Sequence, residues 1–114
     1  MQMQVYYQGI DVSPALDQFM AEKLKKLKRF LDASAPVGIY LRQDAKEIFS
    51  LSLNVHAFHK DFSFHAKSAN VYEGFAQALD KAQRVLAEEK RQLKDKINRR
   101  FRPLKDMDIE QAVS

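Results

Sequence analysis

The chain has 114 residues, no cysteine and a formal net charge of +4, with a sequence pI near 9.4. This length suffices for one compact domain, and the absence of cysteine excludes disulfides, a thiolate nucleophile and a cysteine zinc site. No uncharged run approaches the ~20 residues of a membrane helix, and the first residues lack a signal-peptide pattern. We therefore expect a soluble cytoplasmic domain with no membrane partner. Its excess of basic over acidic residues favours an anionic binding partner.

The first two predicted elements are a strand and an amphipathic helix. Apolar and polar residues alternate over residues 2–8, which is typical of a half-buried strand. Ser13 and Pro14 then begin a helix, because the serine hydroxyl can cap a free N–H and proline fits the first helical position. Apolar residues recur every three or four positions after that, so the helix is predicted to reach about Asp32.

Three further strands follow in the sequence. Apolar and polar residues alternate over residues 37–42, 49–58 and 62–67. Polar turns are predicted at residues 43–47 and 59–61. The last two strands should therefore form a hairpin with one apolar and one polar face.

A long helix completes the predicted domain. Asn70 can cap its first turn, and an apolar stripe continues to about Arg100. Pro103 is expected to end the helix, because proline lacks the backbone N–H that a helix interior needs. We therefore predict one domain over residues 1–101 and a short flexible tail over residues 102–114.

This element order predicts an α+β fold. The order β-α-β-β-β-α supplies strand faces and helix stripes that can bury one another in a two-layer sandwich. A four-stranded sheet should carry both helices on one face. Since a helix of roughly 30 residues is about 45 Å long, the C-terminal half of the last helix is expected to overhang the sheet.

Positive charge is concentrated in two helical blocks. Residues 23–29 carry five cations and no anion, and residues 90–100 carry six cations against Asp95 alone. One interpretation is that these lysines form only the solvated face of an amphipathic helix. Two blocks with so few acidic residues favour a surface that faces phosphate groups. If the two helices lie side by side, one continuous basic surface would contain Lys23, Lys26, Lys81, Arg84, Lys90, Arg91 and Lys94.

The polar face of the predicted sheet offers weaker signals. Tyr6 and Tyr40 lie there with Arg42, and aromatics among cations can stack on unpaired bases, although the pattern favours an ordinary solvated face. His56 and His65 share this face, but no third metal ligand occurs at a diagnostic spacing. Without a glycine-rich phosphate loop or a catalytic constellation, we predict no enzyme, metal, cofactor or small-molecule substrate.

Several short motifs carry a resemblance to a known family. They are the opening strand MQMQV, the spacing of Gly9, Ser13, Ala15 and Leu16, the motif Lys23-x-x-Lys26-Leu27, the pair His65-Ala66, and the segment NVYEGFAQALDKAQRVL. Over about residues 1–95 the chain resembles the ribosome hibernation family. This family comprises ribosome-associated translation inhibitors of the hibernation-promoting factor and protein Y type, also called sigma-54 modulation proteins, and the likeness is to its short form.

The resemblance implies both a fold and a function. The fold would be similar to a double-stranded RNA-binding domain, monomeric off the ribosome, and its partner would be the rRNA of the small ribosomal subunit. Binding in the decoding channel, at the tRNA and mRNA sites, would inhibit translation and stabilise idle ribosomes during stress or stationary phase. The rRNA-facing cations that the resemblance implies are Lys23, Lys26, Lys81, Arg84 and Lys90. Charge and helical geometry add Lys25, Lys28, Arg29, Arg91 and Lys94.

Two other classes of protein remain open at this point. A stand-alone double-stranded RNA-binding module would share the basic helices but would bind free duplex RNA without ribosomes. A protein-interaction module would use the sheet face or the overhanging helix to bind an acidic protein, and would show little affinity for RNA.

Overall fold

A computed structural model of the chain describes residues 2–32 and 34–105. Its strands are β1 (Gln2–Gln8), β2 (Pro36–Ala45), β3 (Ile48–Ala57) and β4 (Lys60–Ser68). Its helices are α1 (Pro14–Leu24), a 3₁₀ segment (Lys25–Phe30) that directly continues α1, and α2 (Val71–Lys105). The predicted order β-α-β-β-β-α and the α+β class are confirmed.

The four strands form one sheet in the order β1-β2-β3-β4. β1 and β2 are parallel, which requires a crossover connection, and α1 with the 3₁₀ segment supplies it. The other neighbours are antiparallel, and their register sets buried residues side by side, with Leu53 between Ile39 and Phe64. One face of the sheet is therefore apolar across its centre.

Both helices pack on this apolar face, as predicted. The first helix and its 3₁₀ segment bury Leu16, Met20, Leu24, Leu27 and Phe30. The second helix buries Phe75, Ala78, Leu79, Ala82 and Leu86. Burial in α2 stops there, and farther along the helix Ile97 is 56% exposed, so the predicted overhang is confirmed.

The prediction of a regular α-helix to Asp32 is wrong for its last turns. Residues Lys25–Phe30 are a 3₁₀ helix, and the chain is extended by Leu31. The physical reason is the spacing of Leu24, Leu27 and Phe30, which recur every three residues. At three residues per turn all three face the sheet, whereas an α-helix would rotate each about 60° from the last.

The two hairpin turns are shorter than predicted. Ala57 pairs with Lys60, so the second turn consists of Phe58 and His59 alone rather than residues 59–61. Both turn residues have positive φ, 54° and 63°, as in the two-residue turns whose twist matches that of paired strands. The first turn likewise shrinks from the predicted 43–47 to two residues, because Ala45 pairs with Ile48 after a bulge.

The predicted end of α2 is also wrong. The helix runs to Lys105 and passes through Pro103. Proline removes one N–H, and thus one helical hydrogen bond, but that loss weakens a terminal turn without having to end it. Of the predicted tail, residues 106–114 lie outside the described residues.

The predicted helix caps form, and one of them anchors β1. Ser13 Oγ accepts a hydrogen bond from the Leu16 N–H at 3.1 Å, and Asn70 Oδ1 accepts one from the Tyr72 N–H at 2.8 Å. The Tyr7 hydroxyl donates to the Asp17 carboxylate and lies 3.3 Å from the Ser13 carbonyl oxygen. Burial, aided by the bond to Asp17, raises the pKa of Tyr7 to about 12.

Candidate RNA-binding surface

The two helices run side by side in the same direction. Near the start of α2, the ring of Phe19 lies edge-on to Tyr72 and Phe75, with centroids 4.9 and 6.1 Å away. Farther along both helices, the ammonium of Lys90 lies 5.9 Å from the centroid of Phe30. We call the line of contact from Phe19 and Tyr72 to Phe30 and Lys90 the helix seam.

A row of three cations follows the seam on the first helix. Lys23, Lys26 and Arg29 are spaced by three, and each directly precedes one of the buried residues Leu24, Leu27 and Phe30. The row therefore lies on one flank of the helix. Phe19 shares this flank and contacts α2, and Lys23 Nζ lies 5.6 Å from the Phe19 centroid, so the row borders the seam.

Cations from both helices converge on one aromatic ring at the far end of the seam. The guanidinium carbon of Arg29 is 4.6 Å from the Phe30 centroid, and Lys90 Nζ is 5.9 Å from it. Such cation–π contacts hold each exposed cation by only ~0.5–1 kcal/mol. Lys94 follows Lys90 one turn later on α2. Like charges gathered this closely favour an anionic ligand between them.

These seam cations form no ion pairs in the part of the chain that the structure describes. The ion pairs within those residues involve other side chains, and none includes Lys23, Lys26, Arg29, Lys90 or Lys94. The seam therefore presents positive charge that its described neighbours do not neutralise.

Two of the predicted cations lie on the other flank of the first helix. Lys25 and Lys28 each directly follow a residue that faces the sheet, so they point away from α2. Lys25 Nζ also lies 3.2 Å from Glu22 Oε1. Neither residue borders the seam.

Two further predicted cations lie on the outer surface of α2 with acids beside them. Arg84 pairs with Asp80, and Arg91 bonds both Glu88 and Asp95, the latter at 2.9 Å. The hydrogen bond from Arg91 lowers the pKa of Glu88 and raises that of the guanidinium. Each of these arginines would have to exchange an acidic partner for a phosphate.

Lys81 lies on the flank of α2 that faces β4. Its ammonium donates to the His65 carbonyl oxygen at 2.7 Å, and on the same side Lys60 pairs with Glu89 at 2.6 Å. The body of α2 therefore separates Lys81 from Lys23. The continuous basic surface predicted from the sequence does not extend to this residue.

The histidines of the sheet face lie apart. His56 Nδ1 is 2.8 Å from Asp61 Oδ1, and His65 Nδ1 is 2.8 Å from Ser52 Oγ, each partner being the residue directly opposite on the neighbouring strand. Within the described ranges there is no group of three side chains able to hold a metal ion. Nor is any described helix long and apolar enough to cross a membrane.

Phe30 is the residue of this surface that sequence reasoning missed. The apolar pattern assigns it to the core, and it is indeed buried, yet its ring is also the point where cations of two helices meet. Its spacing of three from Leu27, with a basic residue before each, is the signal that the sequence offers.

The fold and the seam together define a small α+β domain with a row of exposed cations between its two helices. The sequence profile of the family described as Sigma 54 modulation protein / S30EA ribosomal protein matches residues 3–94, which is most of the chain. The chain belongs to this family, and the resemblance seen in its motifs is confirmed. A search of curated proteins finds no match.

Two solved structures share the fold. One is a ribosomal subunit interface protein from Coxiella burnetii, with a TM-score of 0.67 and 24% identity, covering 79% of this chain and 98% of that one. The other is the N-terminal domain of Thermus thermophilus Protein Y, with a TM-score of 0.67 and 16% identity, covering 75% and 96%. At these identities the likeness establishes the fold.

Proposed function

We propose that this protein binds the small ribosomal subunit in the decoding channel, across the tRNA and mRNA sites, and thereby inhibits translation and stabilises idle ribosomes under stress. Family membership points to the ribosome, and the Coxiella burnetii protein that shares the fold is a ribosomal subunit interface protein. The observation that carries the proposal is the seam itself, where Arg29 and Lys90 converge on Phe30 in line with Lys23 and Lys26.

Phosphate contacts supply the affinity in this proposal. Successive cations of the row are about 6 Å apart along the helix axis, at ~2.0 Å per residue in the 3₁₀ segment. Each can therefore meet a separate phosphate group. Neutralising a phosphate releases condensed counterions, which makes binding favourable at low salt and weaker as salt rises.

Shape supplies the selectivity. Lysine ammonium groups are point charges that contact phosphate without reading a base sequence, and a rigid pair of parallel helices fits only a matching arrangement of strands. Inhibition then needs no catalysis, because a domain seated in the channel excludes tRNA and mRNA by its volume. One copy of the domain suffices for this.

Sedimentation with separated ribosomal subunits tests the proposal. The wild-type protein should migrate with the small subunit, resist competition by excess free duplex RNA, and dissociate as salt rises. The variant K23E/K26E, whose exposed positions leave the core intact, should stay folded but neither migrate with the subunit nor inhibit cell-free translation.

Three outcomes would redirect the interpretation. Equal competition by any duplex would indicate a general double-stranded RNA-binding module. Full inhibition of translation by folded K23E/K26E would rule out the seam as the contact surface, and failure of the wild type to bind either RNA would favour an acidic protein partner.

A further inference from the structure

The sheet face opposite the helices carries an ordered row of side chains. Strand register places Tyr6, Tyr40, Ser52 and His65 side by side across β1 to β4. The next row along the strands is Gln8, Arg42, Ser50 and Lys67. Together these rows line a groove of about 570 Å³ that is open to solvent. That volume falls in the range of small-ligand sites, ~300–1,000 Å³.

The two tyrosines form a stacked aromatic wall at one side of this groove. Their ring planes differ by 11° and their centroids are 4.8 Å apart, while Tyr6 remains 47% and Tyr40 45% exposed. The Tyr40 ring leans over Gly38, where a Cβ would come within 3.3 Å of it. Since Tyr6 occupies the face toward β1, the other face of Tyr40 is directed toward β3.

The gap between the free face of the Tyr40 ring and β4 is wide enough for a planar base. The small side chains of Ser50 and Ser52 form the floor on β3, and His65 stands beyond them on β4. The backbones of Tyr40 and His65 are two strand spacings apart, about 9.6 Å. A base between two planar groups needs about 7 Å, from a stacking distance of ~3.4 Å on each side. Ser52 Oγ and His65 Nδ1 are hydrogen-bonded to each other at 2.8 Å, and the hydroxyl keeps a further hydrogen-bonding position for the edge of the base.

Charge at the adjoining row suits a single phosphodiester. Arg42 Nε lies 2.6 Å and Lys67 Nζ 3.9 Å from the carboxylate of Asp44, which also accepts a hydrogen bond from the Ser50 hydroxyl. These contacts lower the pKa of Asp44, so it carries its charge. Two cations and one anion leave one net positive charge. A phosphodiester carries one negative charge, whereas a phosphate monoester carries about −1.5 to −2.

We propose that this groove binds an unpaired nucleotide of an RNA strand. The base stacks on Tyr40 above Ser52, and the adjoining phosphodiester lies beside Arg42 and Lys67. A groove open to solvent lets the strand continue on both sides, which a closed mononucleotide pocket would not. The site lies on the opposite layer from the helix seam, so it does not depend on the function proposed for the seam.

Titration of the ¹⁵N-labelled protein with the single-stranded hexamer U6, followed by two-dimensional NMR, tests the site. Amide signals of the strand residues that line the groove should move, and those of the seam should not. Uridine 5′-monophosphate and hexaglutamate serve as competitors of different chemistry. The site is refuted if the moved signals are confined to the helices, or if either competitor binds the groove as tightly as U6.

Three variants separate stacking from charge. Y40L should weaken U6 binding by roughly 5- to 150-fold, the range for loss of one base–aromatic stack, whereas Y40F should bind like the wild type. D44N should bind more tightly, with a salt slope steeper by about 0.7, because the competing carboxylate is gone. The control Y72L removes an equally exposed tyrosine from the helical layer and should leave U6 binding unchanged.

These measurements also separate this inference from the function proposed for the seam. Unchanged U6 binding by folded Y40L would overturn the groove while leaving sedimentation with the small subunit intact. K23E/K26E should lose the subunit and keep U6 binding; loss of both by this variant would show that U6 binds at the seam and would overturn the groove.

Discussion

Neutralising the cation row of the seam should reduce the salt dependence of ribosome binding by a defined amount. The seam presents five cations, Lys23, Lys26, Arg29, Lys90 and Lys94. If each meets one phosphate, the logarithm of the association constant should fall against that of salt concentration with a slope of about −3.5 to −4.5. Between 50 and 200 mM salt the affinity then drops roughly 130- to 500-fold.

The double variant K23Q/K26Q removes two of these contacts. Its slope should be shallower than that of the wild type by about 1.4 to 1.8, since each phosphate contact contributes ~0.7–0.9. The matched control is K25Q/K28Q, which changes the same residue type by the same charge two positions farther along the chain, but on the flank that faces away from α2. Its slope should stay within about 0.5 of the wild-type value, because it loses none of the contacts counted above.

Filter binding of labelled small subunits at four potassium chloride concentrations gives the three slopes, with circular dichroism to verify that each variant is folded. Equal changes for the two pairs would show that the net charge of the helix matters and the seam does not. No change for either pair would mean that the first helix does not contact the RNA.

Three further predictions concern the fold. H59G should raise the free energy of unfolding by about 1 kcal/mol and the melting temperature by roughly 4 °C, because His59 has φ 63° and glycine adopts that region without strain. G74A should stabilise α2 by about 0.5–1 kcal/mol in urea titration, since its Cβ would lie 3.4 Å from that of Ser68, an ordinary contact; a loss of stability would refute this. The pKa of Tyr7 is raised to about 12 in the fold against ~10 when unfolded, so its contribution is complete below pH 10 and is lost as pH rises toward 12. The melting-temperature difference between wild type and Y7F should shrink over that interval, and a constant difference would refute the assignment.

Patterns that repeat over many residues predicted the fold. Alternation along the strands was sufficient to place Ile39, Leu53 and Phe64 on one buried face, because the side chains of a strand have a period of two. Ser13 with Pro14 marked the start of α1 for a local chemical reason, the need to satisfy free N–H groups. Neither inference depended on knowing which strands pair.

Shorter segments were ambiguous for an equally physical reason. Apolar residues spaced by three or four are the usual sign of an α-helical stripe, so the spacing of Leu24, Leu27 and Phe30 fits that rule although Lys25–Phe30 is a 3₁₀ helix. The turn of Phe58 and His59 lacks the glycine or asparagine that usually announces positive φ. Tertiary register decided its length.

The candidate site was also predictable only in part. Basic blocks are visible in sequence, but whether a cation is neutralised depends on neighbours that only the fold provides. Arg84 and Lys23 are equally prominent as charges, yet Asp80 pairs with the first, and the second forms no ion pair among the described residues. Lys81 shows the same limit, because its bond to the His65 carbonyl depends on how α2 sits against β4.

The 3₁₀ segment explains why burial and charge display coincide in this helix. At three residues per turn, residues three apart point in the same direction. Leu27 and Phe30 both point into the core, so Lys26 and Arg29, which directly precede them, both point toward the same flank. In an α-helix each step of three would rotate the row by about 60°, and Arg29 would turn well away from the line of Lys23. The same packing that buries the apolar residues therefore holds the cations in one line beside α2. Packing against the sheet fixes only the directions of the buried residues. The cations directly before them are then aligned by the helix geometry.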